Sequence, residues 1–431
     1  MTSLAAAGPV RPAARLRCRL ELPADKSIAH RALIVNALSG GPAVVEMRSP
    51  GLDVRSTAAC LRRLGVTIDE AMDGTVTRFT VSGSPTSGAV LDCGNSGTTM
   101  RLLAGAVAGL PLGVVLDGDA SLRSRPMERV ASLLRAAGAE VTTTDGHAPI
   151  AVAGRSRLSA VTHRLPVASA QLLGAATLAG LSADGQTRIE SPAVTRDHTE
   201  RMLAAAGVPV GRDGLTTTLT GPARPRPLSF TVPGDFSSAA PWMVAAAIHP
   251  DAEITLAGVG LNPTRTALVD LLRRMGADIE LAVTNDSGPE PIGEIRVTGG
   301  RRLAAVQVGG AEVAALIDEL PLVGVAMAAA DGTSELRDAS ELRVKESDRI
   351  SATVAGLSAI GASVRELADG WRLRGGRPKR AEIETYCDHR IAVAFAVAAI
   401  SGLASAVELD DPGCVAVSYP DFWADLAAVT S

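Results

Sequence analysis

Three basic side chains stand where basic side chains are unfavourable. Lys26 and Arg31 lie at the front of one apolar segment, and Arg390 lies at the front of another that opens Asp388-His389-Arg390. If these segments are helices, their N-termini carry the positive end of the backbone dipole, which disfavours Lys and Arg. A bound anion would offset that cost, because free backbone N–H groups at a helix start also point at it. Polar residues open the other apolar segments: Asn95-Ser96-Gly97-Thr98, Ser169-Ala170-Gln171, Asp235-Phe236-Ser237 and, inside one, Asp318-Glu319. Capping accounts for any single Ser, Thr, Asn or Asp. It does not account for the cations.

A second set of segments repeats the oddity: Ser124-Arg125-Pro126-Met127, Thr195-Arg196-Asp197-His198 and Val344-Lys345-Glu346-Ser347-Asp348-Arg349. Read as helical, the last puts Lys345 and Arg349 on one face, with Glu346 three residues before Arg349. Alone, that cluster is explained by a solvated helix surface with weak ion pairs. With Lys26, Arg125 and Arg390 in equivalent places it points to a shared site. Arginine suits bidentate contacts to carboxylate and phosphate. Several cations together with Asp318 and Glu346 suggest a ligand with more than one anionic group, and acid–base chemistry performed on it.

The elements that position these residues recur about every seventy residues. A leucine-rich helix, a Gly and a departing strand appear at Gly65, Gly138, Gly207, Gly276 and Gly361, as expected of helices closed by a left-handed glycine. A more apolar helix precedes each, with six candidates starting near Ser27, Asn95, Ala170, Ser237, Ile317 and Asp388. Short alternating strands lie between, such as Arg17 to Leu22 and Glu294 to Val297. The reading is an α/β chain of six copies, the last cut short after Leu426 and completed by the N-terminal strand. Two domains of three copies are favoured over a solenoid, because the polar helix starts differ between copies. The crossings fall near Pro23 and Pro233.

Composition narrows the ligand. The 431 residues carry 42 Lys and Arg against 46 Asp and Glu, and only three Trp, two Tyr and five Phe. Mild acidity excludes a sequence-wide footprint for nucleic acid, and few aromatics leave few platforms for bases. No signal peptide or membrane span is read. Five cysteines, none in a CxxC pair, fit a reduced, cytoplasmic protein. The six histidines are scattered, without HExxH or HxxxH spacing, so no zinc site is expected.

At these residues the chain resembles the 5-enolpyruvylshikimate-3-phosphate synthases, in the enolpyruvyl transferase family. The matching stretches are LPADKSIAHRAL (22–33), DCGNSGTTMRLLAG (92–105), GDASLRSRPMERV (118–130), LPVASAQ (165–171), TRDHTERM (195–202), PGDFSSAA (233–240), LRVKESDRI (342–350) and CDHRIAVAFAVA (387–398). They run in order from end to end. The resemblance implies a two-domain fold of six βαβαββ-type repeats, three per domain, an inside-out α/β barrel. The domains would be 1–23 with 233–431, carrying Asp318, Glu346, Arg349 and Arg390, and 24–232, carrying Lys26, Arg125, Ser169 and Gln171. The active site would lie in the cleft between them.

It further implies transfer of the enolpyruvyl group of phosphoenolpyruvate to the 5-hydroxyl of shikimate 3-phosphate, with release of phosphate and with no need of a metal or another cofactor. Shikimate 3-phosphate would be held by Lys26, Ser27, Arg31, Ser169, Ala170, Gln171, Arg196, Asp318 and Lys345. Phosphoenolpyruvate would be held by Lys26, Asn95, Gly97, Thr98, Arg125, Gln171, Arg349, His389 and Arg390. Asp318, Glu346 and Lys26 would move the protons. The expected protein is a cytoplasmic monomer, open without ligand. Gly97 implies inhibition by glyphosate in competition with phosphoenolpyruvate. Two positions depart from the family pattern: Ala24 stands in place of a usual Gly, and Val417 in place of a frequent Lys. The rivals are the sister enzyme acting on UDP-N-acetylglucosamine, which usually has a Cys in the loop that here reads Asp119 to Pro126, and a non-catalytic anion-binding repeat protein.

Overall fold

The computed structural model describes residues 8–431, so the first seven residues of the expected terminal domain lie outside the described residues. The chain forms two compact units. One holds the chain up to Asp25, Pro233–Asp286 and Pro291–Ser431; the other holds Lys26–Val232 and the short excursion Ser287–Glu290. In the latter, buried Glu290 pairs with buried His198 at 2.7 Å.

The repeating element is clearest around Gly97. Strand Ala89–Asp92 leads into helix Gly97–Ala108, then to Gly113–Asp117, which pairs parallel with the first strand. Helix Glu128–Ala136 follows, and strands Glu140–Thr144 and His147–Ala153 close the sheet as an antiparallel hairpin. The same order recurs from Thr162–Arg164 to Thr216–Gly221 and from Gln307–Val308 to Gly370–Arg374. A parallel pair needs a crossover long enough for a helix, whereas the hairpin needs only a tight turn.

The five repeat glycines all adopt positive φ, from +83° at Gly207 to +105° at Gly361. Each closes its helix with the same two hydrogen bonds. At the first, Gly65 N donates to Arg62 O at 3.0 Å and Val66 N to Leu61 O at 3.1 Å. At the last, Gly361 N donates to Ser358 O at 3.1 Å and Ala362 N to Leu357 O at 3.0 Å. These satisfy carbonyls that the helix end would otherwise strand.

The first copy of each unit borrows its opening strand. Gly40–Arg48 pairs in parallel with Phe230–Thr231, and Ala252–Gly260 with Leu16–Glu21, Leu16 opposite Ala252. The N-terminal strand therefore does not complete the sixth copy, contrary to the sequence expectation. That copy stops at two parallel strands, Arg380–Ile383 and Ala406–Leu409, followed by helix Phe422–Val429. The N-terminal segment reaches it through an isolated bridge, Val10 to Val407, and through Ala13 N donating to Ile400 O at 3.0 Å, without adding a strand. Leu16 and Leu20 explain the choice: their alternation buries one strand face in the core of the terminal-containing unit.

The apolar helices are buried on nearly all sides; Phe236–Ile248 is buried from Phe236 through Ala247. Small residues let them approach closely. A Cβ at Gly105 would sit 2.3 Å from Ala175 O, so helices Gly97–Ala108 and Ala170–Gly180 pack backbone to backbone. Among the described residues no helix is long and apolar enough to cross a membrane.

Candidate active site

In the unit that starts at Lys26, helix starts converge on a set of cations. Lys26 is the first residue of helix Lys26–Ser39, and its Nζ lies 3.0 Å from Asp53 Oδ2. One turn on, Arg31 ties three elements together. Its Nε donates to Thr199 Oγ1 at 2.6 Å, one terminal nitrogen to Ser27 O at 2.8 Å, and the other to Ala170 O at 3.3 Å. Ser169 caps helix Ala170–Gly180 by accepting from Leu172 N. Half-buried Arg196 lies in the turn before helix His198–Ala205.

A second cluster surrounds the turn from Gly94 to Thr98. Asp92 accepts from Gly94 N, and Ser96 caps helix Gly97–Ala108. Asn95 Nδ2 donates to Asp119 Oδ2 at 2.8 Å, while Asn95 Oδ1 accepts from Arg125 at 2.5 Å. Gln171 links this cluster to the first: its Nε2 donates to Thr98 Oγ1 at 2.9 Å and its Oε1 accepts from Arg101 at 2.6 Å. Gly97 leaves room for two guanidinium groups, since a Cβ there would lie 2.9 Å from an Arg101 nitrogen and 3.4 Å from one of Arg125.

Beneath the turn runs a buried hydroxyl chain. His30 Nδ1 lies 2.6 Å from Thr57 Oγ1, which lies 2.7 Å from Thr99 Oγ1, which donates to Ser96 Oγ at 2.7 Å. Burial, with Lys26 and Arg31 nearby, holds the His30 imidazole well below its usual pKa, so it is neutral.

The terminal-containing unit carries the other candidates. Arg349 is fully buried; its Nε donates to Asp388 Oδ2 at 2.8 Å and its NH2 to Glu346 Oε2 at 2.6 Å and Asp388 Oδ1 at 3.2 Å. Asp318 Oδ1 stands 3.6 Å from the remaining nitrogen. Burial works against the charge on Arg349, but Asp388, Glu346 and Asp318 outweigh it and raise its pKa. Asp388 caps helix His389–Ile400. A depression is lined by Ser237, Asp318, His389, Arg390, Val393 and Tyr419, among others. Arg390 borders it, with its NH1 3.7 Å from Glu319 Oε1.

Three local expectations are corrected. Asp318 and Glu319 do not lie inside the apolar helix; they occupy the turn between Ala311–Leu316 and Leu320–Ala329. Pro321 explains the restart, since proline fits only a helix's first turn. Lys345 and Glu346 precede helix Arg349–Ala359, because Asp348 caps it by accepting from Ile350 N and Ser351 N. The shared-face argument for Lys345 and Arg349 therefore does not apply, although Glu346 still reaches Arg349. A helical reading of Ser124 to Met127 puts Pro126 at a first helical position, but it precedes helix Glu128–Ala136 instead, and its carbonyl accepts from Arg101. Ala24 is not among the residues of positive φ, so it fits without backbone strain.

Sequence reasoning does not find Asp53, Arg265 or the pairing of Asp388 with Arg349, and it finds Arg101, Asp235, Ser237 and Glu319 only as polar residues near helix starts, without a role. Arg101 was visible as a cation one turn into a polar-capped helix. Asp53 and Arg265 sit in amphipathic or turn segments, with no local signal of what they face.

The family pattern for EPSP synthase (3-phosphoshikimate 1-carboxyvinyltransferase) matches residues 10–426. A 3-phosphoshikimate 1-carboxyvinyltransferase of Gloeobacter violaceus is 47% identical over 429 residues, covering 97% of this chain and 98% of its own. EPSP synthase of Acinetobacter baumannii superposes with a TM-score of 0.83 at 36% identity, covering 97% of each chain. The enolpyruvyl transferase NikO of Streptomyces tendae shares the fold at a TM-score of 0.77 and 20% identity, covering 98% of this chain and 96% of its own. The architecture is the α/β enolpyruvyl transferase fold, and by a sequence match from residue 10 to residue 426 the chain belongs to the EPSP synthase (3-phosphoshikimate 1-carboxyvinyltransferase) family.

Proposed function

We propose that the protein transfers the enolpyruvyl group of phosphoenolpyruvate to the 5-hydroxyl of shikimate 3-phosphate and releases phosphate. The observation that carries this reading is the gathering of Lys26, Arg31, Arg125 and Gln171 at neighbouring helix starts of one unit, beside family membership over nearly the whole chain. The other unit sets Arg390 beside Asp318 at one depression.

The roles follow from charge and reach. Arg31, Ser27, Ser169, Ala170, Gln171 and Arg196 hold shikimate 3-phosphate, together with Lys345 and Asp318. Arg125, Asn95, Gly97, Thr98, Arg349, His389 and Arg390 hold phosphoenolpyruvate, and Lys26 serves both ligands. Carbon 3 of the enol gains a proton while the 5-hydroxyl loses one. The resulting tetrahedral ketal phosphate then loses phosphate and a proton. Asp318 and Glu346 carry these protons, assisted by Lys26. Such a group contributes roughly 10²–10⁴-fold, whereas one charge-assisted hydrogen bond is worth about 1.5–3 kcal/mol. Losing a proton carrier therefore costs more rate than losing one clamp.

The protein works as a cytoplasmic monomer that closes on shikimate 3-phosphate, since cations on separate units repel until an anion joins them. Phosphate release from phosphoenolpyruvate with shikimate 3-phosphate tests the reaction. Release with UDP-N-acetylglucosamine instead would assign the chain to the sister activity. Identical small-angle scattering with and without shikimate 3-phosphate would remove the closure.

A further inference from the structure

Glu319 has no part in the reaction just described, yet it is among the most enclosed carboxylates of its unit, 1% exposed. Its Oε1 accepts a 2.5 Å hydrogen bond from the Ser237 hydroxyl and stands 3.6 Å from Arg265 NH2 and 3.7 Å from Arg390 NH1. Ser237 in turn accepts from Arg265 NH2 at 2.6 Å. Arg265 is 2% exposed, with Asp235 Oδ1 3.7 Å away and its guanidinium carbon 5.7 Å from the centre of the Phe236 ring. Two cations therefore meet at one buried carboxylate oxygen. Only Arg390 borders the open depression.

The two arginines differ in freedom. Arg265 is enclosed and held by Ser237, Asp235 and Phe236, so it cannot leave. Arg390 retains a route to solvent, its side chain being 11% exposed. Like charges this deep interact strongly, because little water screens them. With the negative charge at position 319 removed, Asp235 alone would face two arginines, and the excess positive charge would drive Arg390, the freer one, away from the depression.

We propose that Glu319 and Arg265 are positioning residues for Arg390: the carboxylate neutralises the buried arginine and holds the exposed one facing its ligand. This rests on the reading of Arg390 as a phosphoenolpyruvate contact. Neither residue touches substrate. The pair acts on binding of the anion and not on the chemical step, so its loss raises KM and spares kcat.

The test uses the full chain. Glu319→Gln keeps the size and can still accept from Ser237, but removes the charge. KM for phosphoenolpyruvate should rise about tenfold or more, the scale of one charge-assisted contact. The kcat should stay within about threefold, and shikimate 3-phosphate affinity should not change. Adding Arg265→Gln to that variant removes the uncompensated neighbour, so KM should fall back toward the wild-type value, a coupling that independent packing losses would not give. Additive losses in the double variant, or an unchanged KM in the single one, would overturn the proposal. Should Glu319→Gln fail to fold, Glu319→Asp retains the charge and should keep KM near wild type; a tenfold rise there would count against charge as the cause. A crystal structure of Glu319→Gln with Arg390 unmoved would also overturn it. Absence of phosphate release by the wild-type protein would instead remove the proposed reaction.

Discussion

Arg349 and Asp388 form a buried bidentate ion pair: Nε donates to Oδ2 at 2.8 Å, NH2 donates to Oδ1 at 3.2 Å, and the two side chains are 2% and 0% exposed. Burial pushes the Asp388 carboxyl up, but the Arg349 guanidinium and its hydrogen bonds outweigh this and hold it below the usual aspartate range. A depressed carboxyl contributes stability above its unfolded pKa, about 3.9, and loses it as pH falls through the lower folded value. The pair thus persists through mildly acid conditions. Asp388→Asn leaves a buried guanidinium undercompensated, and breaking such a pair costs about 3 kcal/mol or more. Urea denaturation at pH 7 checks this; a change below about 1 kcal/mol would contradict it.

Glu200 behaves in the opposite sense. Burial, with Asp197 adding to it, raises its carboxyl to about 7, against the opposing pull of its own backbone, Arg31 and Arg212. Its Oε1 accepts from Thr217, and its buried Oε2 has no hydrogen-bond partner. A raised pKa stabilises the fold below the unfolded value, about 4.3, and that contribution is lost as pH rises through about 7. Glu200→Gln should therefore match the wild type in thermal stability at about pH 4 and below, and exceed it at pH 8. Thermal denaturation at both ends of that range is the check.

Gly97 sits against two guanidinium groups and the side chain of Leu122. The near neighbours are ends of flexible side chains, so Gly97→Ala should fold with stability changed by about 1 kcal/mol or less. The displaced Arg101 and Arg125 should raise KM for phosphoenolpyruvate by about tenfold and weaken inhibition by glyphosate. Steady-state kinetics with and without glyphosate test both parts. In the unsubstituted protein, glyphosate should raise the KM for phosphoenolpyruvate.

Two helix-closing glycines separate backbone strain from crowding. A Cβ at Gly276 would find Arg302 O at 3.5 Å, an ordinary contact, whereas one at Gly361 would lie 2.1 Å from Arg377 O. Both have φ at or above +100°. Gly276→Ala should cost about 1 kcal/mol from conformation alone. Gly361→Ala should cost clearly more, because backbone must move. Equal losses in denaturant titration would show that crowding adds nothing.

The repeat order, the helix-closing glycines and the cations at helix starts were legible in the sequence because each is written locally. A left-handed C′ position selects glycine within one turn, and a cation before an apolar run is visible within a few residues. The motif stretches placed Lys26, Arg125, Gln171, Arg349 and Arg390 in candidate roles without any coordinate. Other features depend on residues far apart in the chain. Nothing local tells Leu16–Glu21 to pair with Ala252–Gly260 rather than complete the last sheet; burial of Leu16 and Leu20 in one core decides it. Arg349 looks like a surface cation by spacing, yet it is buried against Asp388, 39 residues away. Arg265 carries no motif and Glu319 only a place beside Asp318; they meet at Ser237 because a helix start and two turns converge there. The residue types of the site were thus determined by the sequence alone. Which charge compensates which was decided by tertiary packing, since the strength of a charge interaction depends on burial and distance, and neither is encoded in a short stretch of sequence.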